Sequence, residues 1–532
     1  MAYLARPIVG IKLTGWNVFA VRFVDAPSWT WEPVPNASYY EVRLAGPNDK
    51  KATTYRVDEP SFDLSALWND LPVGTIDMLL LGFDAEGTEI CHSAYKHFSK
   101  VADFDGQEQA PLNWAESVRH NMAYLLAPAR DRIEDYEKGL PRCIWSSMED
   151  SVTGQRFSNT GCVGQYFPAW INGLMLFAEQ YPSDPLADEA RAQSQTYGDW
   201  LLENRLPEEG ACRGLPFSIV MNGELKEMPW GNTLCYSGRV GMAMIDLYAK
   251  FGDAKYLQYA RHLADILIDF QRDDGSWPFR VDPQDGSVKP ENEYTSNAVE
   301  PAMLYARLDE IEAHEPYRTA HFKAITWVLQ NPIQTNRWEQ VYCDGPASPT
   351  WENLENWDVL QMIRYLVHYR GQSPDYIEIA ERLNRFVEDQ FVVWRPEDYP
   401  TRIQSGSGGM GLSGPTVNLQ TLTPMVMEQY GCYYPMESHT GNWTLALIAL
   451  HEATQNREYL NKAICAGNAI VRGQQESGAF ATWGFDTRFG RPLDGFNWPP
   501  DNVCGAIGLM HLDQYCRSLE ADEPCKIGLR GI

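Results

Sequence analysis

The chain is short of positive charge. It carries 44 Lys and Arg against 71 Asp and Glu, a formal net charge of −27. Nucleic acid needs a basic footprint for its phosphates, so that partner class is excluded. An acidic small substrate is not, because a local Arg cluster can hold a carboxylate within an acidic protein. Histidine is also scarce, at 10 residues, which makes a His inside a polar cluster informative. The 11 Cys form no CxxC pair and no Cys/His spacing typical of zinc. An odd count without a framework predicts reduced, buried thiols and a reducing compartment. No run is apolar and long enough to span a bilayer, and the N-terminal residues lack the basic and apolar regions of a signal peptide. The expected location is cytoplasmic, or exported after processing. There is no GxxxxGK[ST] loop. Neither a nucleotide cofactor nor a metal is expected, with calcium through clustered Asp left open.

Aromatics, by contrast, are plentiful: 18 Trp and 27 Tyr. Many sit in loops beside Gly, Pro and Asn. Loop packing explains some of them; flat, partly apolar ligands such as sugar rings explain a clustered set better.

Residues 1–105 alternate apolar and polar with period two, which predicts strands. The expected strands are Ile8 to Leu13, Val18 to Val24, Ser28 to Trp31, Tyr39 to Leu44, Thr53 to Val57, Ile76 to Phe83 and Glu89 to Ser93. Seven short strands broken by turns such as Gly46-Pro-Asn-Asp49 predict a β-sandwich. Trp31-Glu-Pro-Val-Pro-Asn-Ala37, Tyr40-Glu-Val-Arg-Leu44, Phe62-Asp-Leu-Ser65 and Leu81-Gly-Phe-Asp-Ala-Glu-Gly87 together resemble a fibronectin type III module. That resemblance implies a spacer or platform rather than a catalytic unit.

Residues 106–532 read as helices of two alternating kinds. Trp114 to Leu126, Asp188 to Asn204, Lys255 to Gln271, Pro316 to Leu329, Asp375 to Phe391 and Arg457 to Arg472 each have one apolar stripe, as outer helices do. Cys162 to Tyr181, Thr233 to Lys250, Ser296 to Leu308, Trp357 to Tyr369, Thr444 to Ala453 and Val503 to Tyr515 are apolar nearly all round, as inner helices are. Six pairs predict an (α/α)6 toroid, with an open α-solenoid as the alternative. In a toroid the inner helices run parallel. Their N-termini and the long loops feeding them then converge in one crater.

Six polar, aromatic junctions precede the inner helices. They supply an expected substrate-binding set: Trp145, Arg156, Trp230, Tyr236, Arg239, Trp277, Arg280, Tyr294, Trp351, Asn356, Asn442, Arg488 and Trp498. Rings would stack on a pyranose and forked groups would hold its hydroxyls. Taken singly, each Trp is more simply a packing residue and each Arg an ion-pair partner. Glycoside hydrolysis needs two carboxyl groups, or one with a substitute. Glu293 and Glu437 are the preferred candidates, each just ahead of an inner helix beside a Tyr or His. His439, between Tyr434 and Asn442, is read as a general acid/base or carboxylate-binding group, with a structural role equally open. Tyr434 completes the expected catalytic set.

Asp274-Gly-Ser-Trp277-Pro-Phe-Arg280, Glu293-Tyr-Thr-Ser-Asn297 and Tyr434-Pro-Met-Glu-Ser-His439-Thr are similar to the β-glucuronidases of glycoside hydrolase family 154. The resemblance implies an exo-acting hydrolase that releases a terminal glucuronic acid from an oligosaccharide or glycoside, without metal or nucleotide. Two alternatives stand beside it. One is a uronate polysaccharide lyase or epimerase using Tyr434 and His439 as acid and base. The other is a non-catalytic glycan-binding protein.

Overall fold

The computed structural model describes residues 8–14, 16, 20–127, 139, 141–155, 160–221, 224–227, 229–339, 354–395, 422–428, 435–482, 485–486, 491–492, 497–523 and 528–529. The chain divides into two compact units. One is Met1–Asp105 with Arg385–Pro400; the other is Gly106–Asn384 with Thr401–Ile532.

The first unit is built on two small sheets. Strand β1 is Ile8–Val9, β2 Ile11–Thr14, β3 Arg22–Phe23, β4 Ser28–Trp31 and β5 Tyr39–Ala45. Then come β6 Thr53–Val57, β7 Ser61–Asp63, β8 Gly74–Phe83, β9 Glu89–Ser93 and β10 Lys96–Lys100. Strand β4 lies between β2 and β7 in a three-stranded sheet. In the larger sheet β8 pairs with β5 on one edge, and with β9 and β10 on the other. Strand β5 shows why the pattern folds so: Tyr40, Val42 and Leu44 point inward and alternate with Tyr39, Glu41 and Arg43. The inward residues join Trp29, Trp31, Phe62, Ile76, Met78 and Phe98 in one core. The segment Arg385–Pro400, expected from sequence in the helical part, belongs to this unit. Within it the buried Asp389 carboxylate accepts from the Val24 and Asp25 amides, and Arg22 Nη1 donates to the Gln390 carbonyl at 2.7 Å.

The second unit holds eleven long helices among the described residues, and the part of a twelfth that precedes Arg385. They are α1 Trp114–Leu126, α2 Val163–Gln180, α3 Ala187–Glu203, α4 Cys235–Phe251, α5 Ala254–Phe270 and α6 Val299–Ile311. They continue as α7 Glu315–Gln330, α8 Trp357–His368, α9 Tyr376–Phe391, α10 Glu437–Thr454, α11 Arg457–Arg472 and α12 Pro499–Glu520. The even-numbered helices form an inner ring. Each packs on the next, from α2 through α4, α6, α8, α10 and α12, and α12 packs back on α2. That closure makes the array a toroid and rules out an open solenoid. Outer α3, α5, α7 and α11 each pack on the inner helix before them, and α1 packs on α12. No helix among the described residues is long and apolar enough to cross a membrane.

The loops feeding neighbouring inner helices are tied together. Thr160–Gly161, just before α2, pairs with Val220–Met221. Asn232–Thr233, just before α4, pairs with Arg280–Val281. Glu149 bridges to Asn497, just before α12. The N-terminal ends of the inner helices therefore open on one face.

Two of these helices begin earlier than their apolar pattern predicts: α10 at Glu437 rather than Thr444, and α12 at Pro499 rather than Val503. The extra turns are polar in sequence yet buried in the ring, so tertiary contact overrides composition there. Helices α10 and α12 meet backbone to backbone. A Cβ on Gly508 would lie 2.6 Å from the Gly441 Cα and 2.8 Å from its carbonyl oxygen. Gly508→Ala is expected to cost about 1–3 kcal/mol through forced separation of two packed helices. Urea unfolding measures this, and an unshifted midpoint would refute the tight crossing.

Candidate functional site

The first turns of the inner helices surround a small, narrow cavity. Gln165, Tyr166 and Ala169 of α2, Arg239 of α4, Trp357 of α8, His439 of α10, and Asp501 and Cys504 of α12 line it, with Glu428 from the loop before α10. This placement follows from the toroid. Acidic residues at helix N-termini are favoured by the helix dipole and the free amides. Glu300, Asp358, Glu437 and Asp501 all sit in the first turns of α6, α8, α10 and α12. A ring of parallel inner helices therefore gathers carboxyl groups at one mouth.

The charges are arranged in pairs. Arg239 is buried against Glu300, with Nη2 2.6 Å and Nε 2.8 Å from Oε1. The Trp357 indole donates to the same oxygen at 3.2 Å, and the guanidinium lies 5.0 Å from the Trp357 ring centroid. Arg239 is thus held as a fixed fork, its charge compensated behind the cavity wall. Next to this pair, Ser296 Oγ donates toward Asp358 Oδ2 at 3.0 Å and Glu355 Oε1 at 3.3 Å. Burial pushes Glu355 up to about 7, and burial with the nearby Glu355 charge pushes Asp358 well up. Two buried carboxyl groups side by side hold a proton between them at neutral pH.

Asp501 presents a carboxyl group to the cavity. Burial pushes it up to about 7, opposed by the Ser438 side chain. Its Oδ2 accepts no hydrogen bond among the described residues. Glu437 lies behind it, accepting from Asn502 Nδ2 at 2.6 Å and Thr482 Oγ1 at 3.0 Å. Burial, then the Asp501 charge, push Glu437 well above the usual carboxylate range. His439 Nδ1 is 2.7 Å from Asn356 Oδ1, and its ring meets Trp357 edge-on at 5.4 Å. Burial, then the Arg239 charge, lower His439 to about 3, so the ring is neutral at pH 7.

Of the residues singled out from sequence, Arg239 and His439 line the cavity. Tyr236, Asn356, Glu437 and Asn442 are buried close to it in sequence and structure: Tyr236 faces the Arg239 guanidinium at 5.7 Å, and Trp498 meets Tyr166 at 6.3 Å. Several others are placed differently. Glu293 is exposed and paired with Arg272, an ordinary surface ion pair, and does not line the cavity. Tyr294 donates to the Arg337 carbonyl at 2.7 Å and stacks under that guanidinium. The Trp277 indole donates to the Leu267 carbonyl at 2.8 Å, a packing role at the end of α5. Arg280 donates to Thr233 Oγ1 at 2.8 Å and lies 5.7 Å from the exposed Trp230 ring. Trp145 is half-buried outside the cavity lining. Tyr434, Arg156, Trp351 and Arg488 lie outside the described residues. Sequence reasoning passed over Asp501, Glu428 and Glu300. The available signal was an acid in an otherwise apolar inner helix, which Glu300 shows; Asp501 fell in the junction ahead of the expected start at Val503.

Among the described residues no group of three His, Cys, Asp or Glu is placed to hold a metal ion. No known protein-family profile matches the chain, and no curated protein matches it in sequence. Solved structures do resemble it. An α-mannanase of glycoside hydrolase family 76 from Bacteroides thetaiotaomicron is 12% identical with a TM-score of 0.50, over 77% of this chain and 98% of its own. A D-mannose isomerase is 11% identical with a TM-score of 0.51, over 75% of this chain and 96% of its own. A sugar epimerase from a ruminal bacterium is 12% identical with a TM-score of 0.51, over 76% of this chain and 99% of its own. At such identity the likeness is one of fold: the chain shares its helical ring with these three proteins.

Proposed function

We propose that the protein is a carbohydrate-active enzyme, an exo-acting glycoside hydrolase that holds one terminal sugar ring in the crater. The observation that carries this is Asp501, a buried carboxyl group with an unpartnered oxygen in a cavity that also presents Glu428, Trp357 and Tyr166. A carboxyl group that keeps its proton near neutral pH suits a general acid for the glycosidic oxygen. Glu428 is the second carboxylate, positioned as base or nucleophile. Trp357 and Tyr166 provide apolar faces for a pyranose, and Arg239 a fixed donor fork. The three structures of similar fold, which act by their names on mannan, mannose and a sugar, support the substrate class.

The family 154 resemblance narrows the sugar to glucuronic acid. Among the described lining residues Arg239 is the only cation, and Glu300 already compensates it. The lining therefore favours a neutral ring over a uronate. Within this reading the N-terminal unit, residues 1–105, is a fibronectin type III-like platform. The β2–β4–β7 sheet facing β6–β5–β8 with β9 and β10 supports that assignment, and residues 106–532 carry the chemistry.

A second reading has its own observation. A neutral His439 in the cavity suits proton transfer at carbon, as in an isomerase, epimerase or lyase. A panel of p-nitrophenyl mannoside, glucoside, galactoside and glucuronide, run beside free sugars and uronate polymers with product analysis, separates the readings. Release of p-nitrophenol supports the hydrolase. Sugar interconversion, or an unsaturated product absorbing in the ultraviolet, overturns it in favour of the second. No turnover of any member overturns both.

A further inference from the structure

Asn356 sits at the start of α8 with no solvent exposure. Its amide is held at both ends. Nδ2 donates to the Met427 carbonyl at 2.7 Å and to the Glu428 carbonyl at 2.9 Å. Carbonyl oxygens only accept, so the NH₂ must face them. The amide orientation is thereby fixed, and Oδ1 faces His439 Nδ1 at 2.7 Å. An amide oxygen only accepts, so Nδ1 must carry the hydrogen. In a neutral imidazole the other nitrogen is then an acceptor.

We infer that Asn356 is a positioning residue that locks His439 in the Nδ1–H tautomer, leaving Nε2 as a hydrogen-bond acceptor for a hydroxyl or water in the cavity. The inference deepens the reading of the cavity as a sugar site. It names an acceptor among the lining groups and so the ligand feature it takes, a hydroxyl donor. The lock also ties two lining residues together, because the amide that orients the His439 ring anchors the backbone at Glu428. Among the described residues His439 makes one hydrogen bond, through Nδ1, and the ring meets Trp357 edge-on. The charged or titratable groups that share its surroundings are Arg239 from α4, backed by Glu300 of α6, Asp501 from α12, and Glu428 from the loop before α10.

The test is a long-range ¹H–¹⁵N correlation spectrum of the full chain labelled at histidine, with the His439 ring assigned by its loss in His439→Gln. At pH 7 the expected result is one protonated nitrogen at the δ position and one unprotonated nitrogen at ε. The opposite tautomer, or an imidazolium, overturns the inference. Asn356→Asp supplies the second arm. It keeps an acceptor beside Nδ1, adds a negative charge and loses both donors to the carbonyls. The His439 titration is expected to move up by about 1–3 pH units, as for a group gaining an opposite charge within a few ångströms. No movement in a variant with wild-type circular dichroism overturns the contact. Both readouts are independent of turnover. A correct tautomer in a protein that turns over no sugar would defeat the functional reading alone.

Discussion

Asp501→Asn is expected to lower kcat/KM on the responsive glycoside by about 10²- to 10⁴-fold, the usual contribution of a positioned general acid. The carboxamide keeps the shape of the side chain and cannot release a proton to the leaving oxygen. The wild-type profile should also lose activity as pH rises through about 7, where burial places this carboxyl group. The variant should lose that limb. Stability changes with the opposite sign. The folded-state value lies above the ordinary 3.8. The folded state thus binds the proton more tightly than the unfolded one, and stability falls as pH rises from the unfolded value through the folded one. Asp501→Asn escapes that loss, so its stability relative to wild type should rise between pH 4 and pH 8. Glu437 shares the same burial and adds to the gain, since neutralising Asp501 removes a charge that holds Glu437 above its ordinary value. A variant that loses less than tenfold activity, with the alkaline limb intact, would remove Asp501 from the chemistry.

Glu149→Ala is expected to be the most destabilising single change, by about 3–5 kcal/mol in urea unfolding at pH 7. The reason is local. Arg142 reaches the C-terminal carbonyls of α1, donating through Nη1 to Tyr124 at 2.7 Å and Leu125 at 2.9 Å. Its other arm is ion-paired with Glu149, which is 1% exposed. The Tyr124 hydroxyl donates to the same carboxylate at 2.7 Å, and the Glu149 backbone bridges to Asn497. Removing the acid leaves a guanidinium buried without its counter-charge, the situation that costs most among buried pairs. Arg142→Met with Glu149→Leu together should recover much of the loss, because apolar replacement of both partners removes the orphaned charge. A double variant as unstable as Glu149→Ala would mean that the Arg142 bonds to the α1 carbonyls and the Tyr124 hydroxyl contact, not the ion pair, are what matter there.

The ring was legible in sequence because inner and outer helices differ in kind. One is apolar all round and the other has a stripe, and that contrast survives without knowledge of contacts. The helix starts at the crater were less legible. Glu437-Ser-His-Thr-Gly-Asn442 has the composition of a loop, yet forms the first turns of α10 because the ring buries it. Site residues divided along the same line. Arg239 and His439 were found because a cation and an imidazole stand out beside apolar helices. Glu293 looked equivalent to Glu437 in its local context, and only the fold separates an exposed partner of Arg272 from a carboxyl group buried behind Asp501. Whether an acid is hydrated or buried is a tertiary property. For that reason spacing did not single out Asp501, which fell ahead of the expected helix start at Val503, or Glu300, which lay inside an expected inner helix.

The glycine crossing of α10 and α12 has a bearing on substrate range. His439 rides on one of these helices and Asp501 on the other. With no side chains between Gly441 and Gly508, the two backbones interlock and neither helix can slide along its partner without collision. The spacing of the imidazole and the carboxyl group is therefore set before any sugar arrives. Such a site acts as a sieve rather than a glove. If the proposed function holds, epimers that direct one hydroxyl elsewhere should be rejected by misfit, with sharper discrimination among stereoisomers than among leaving groups.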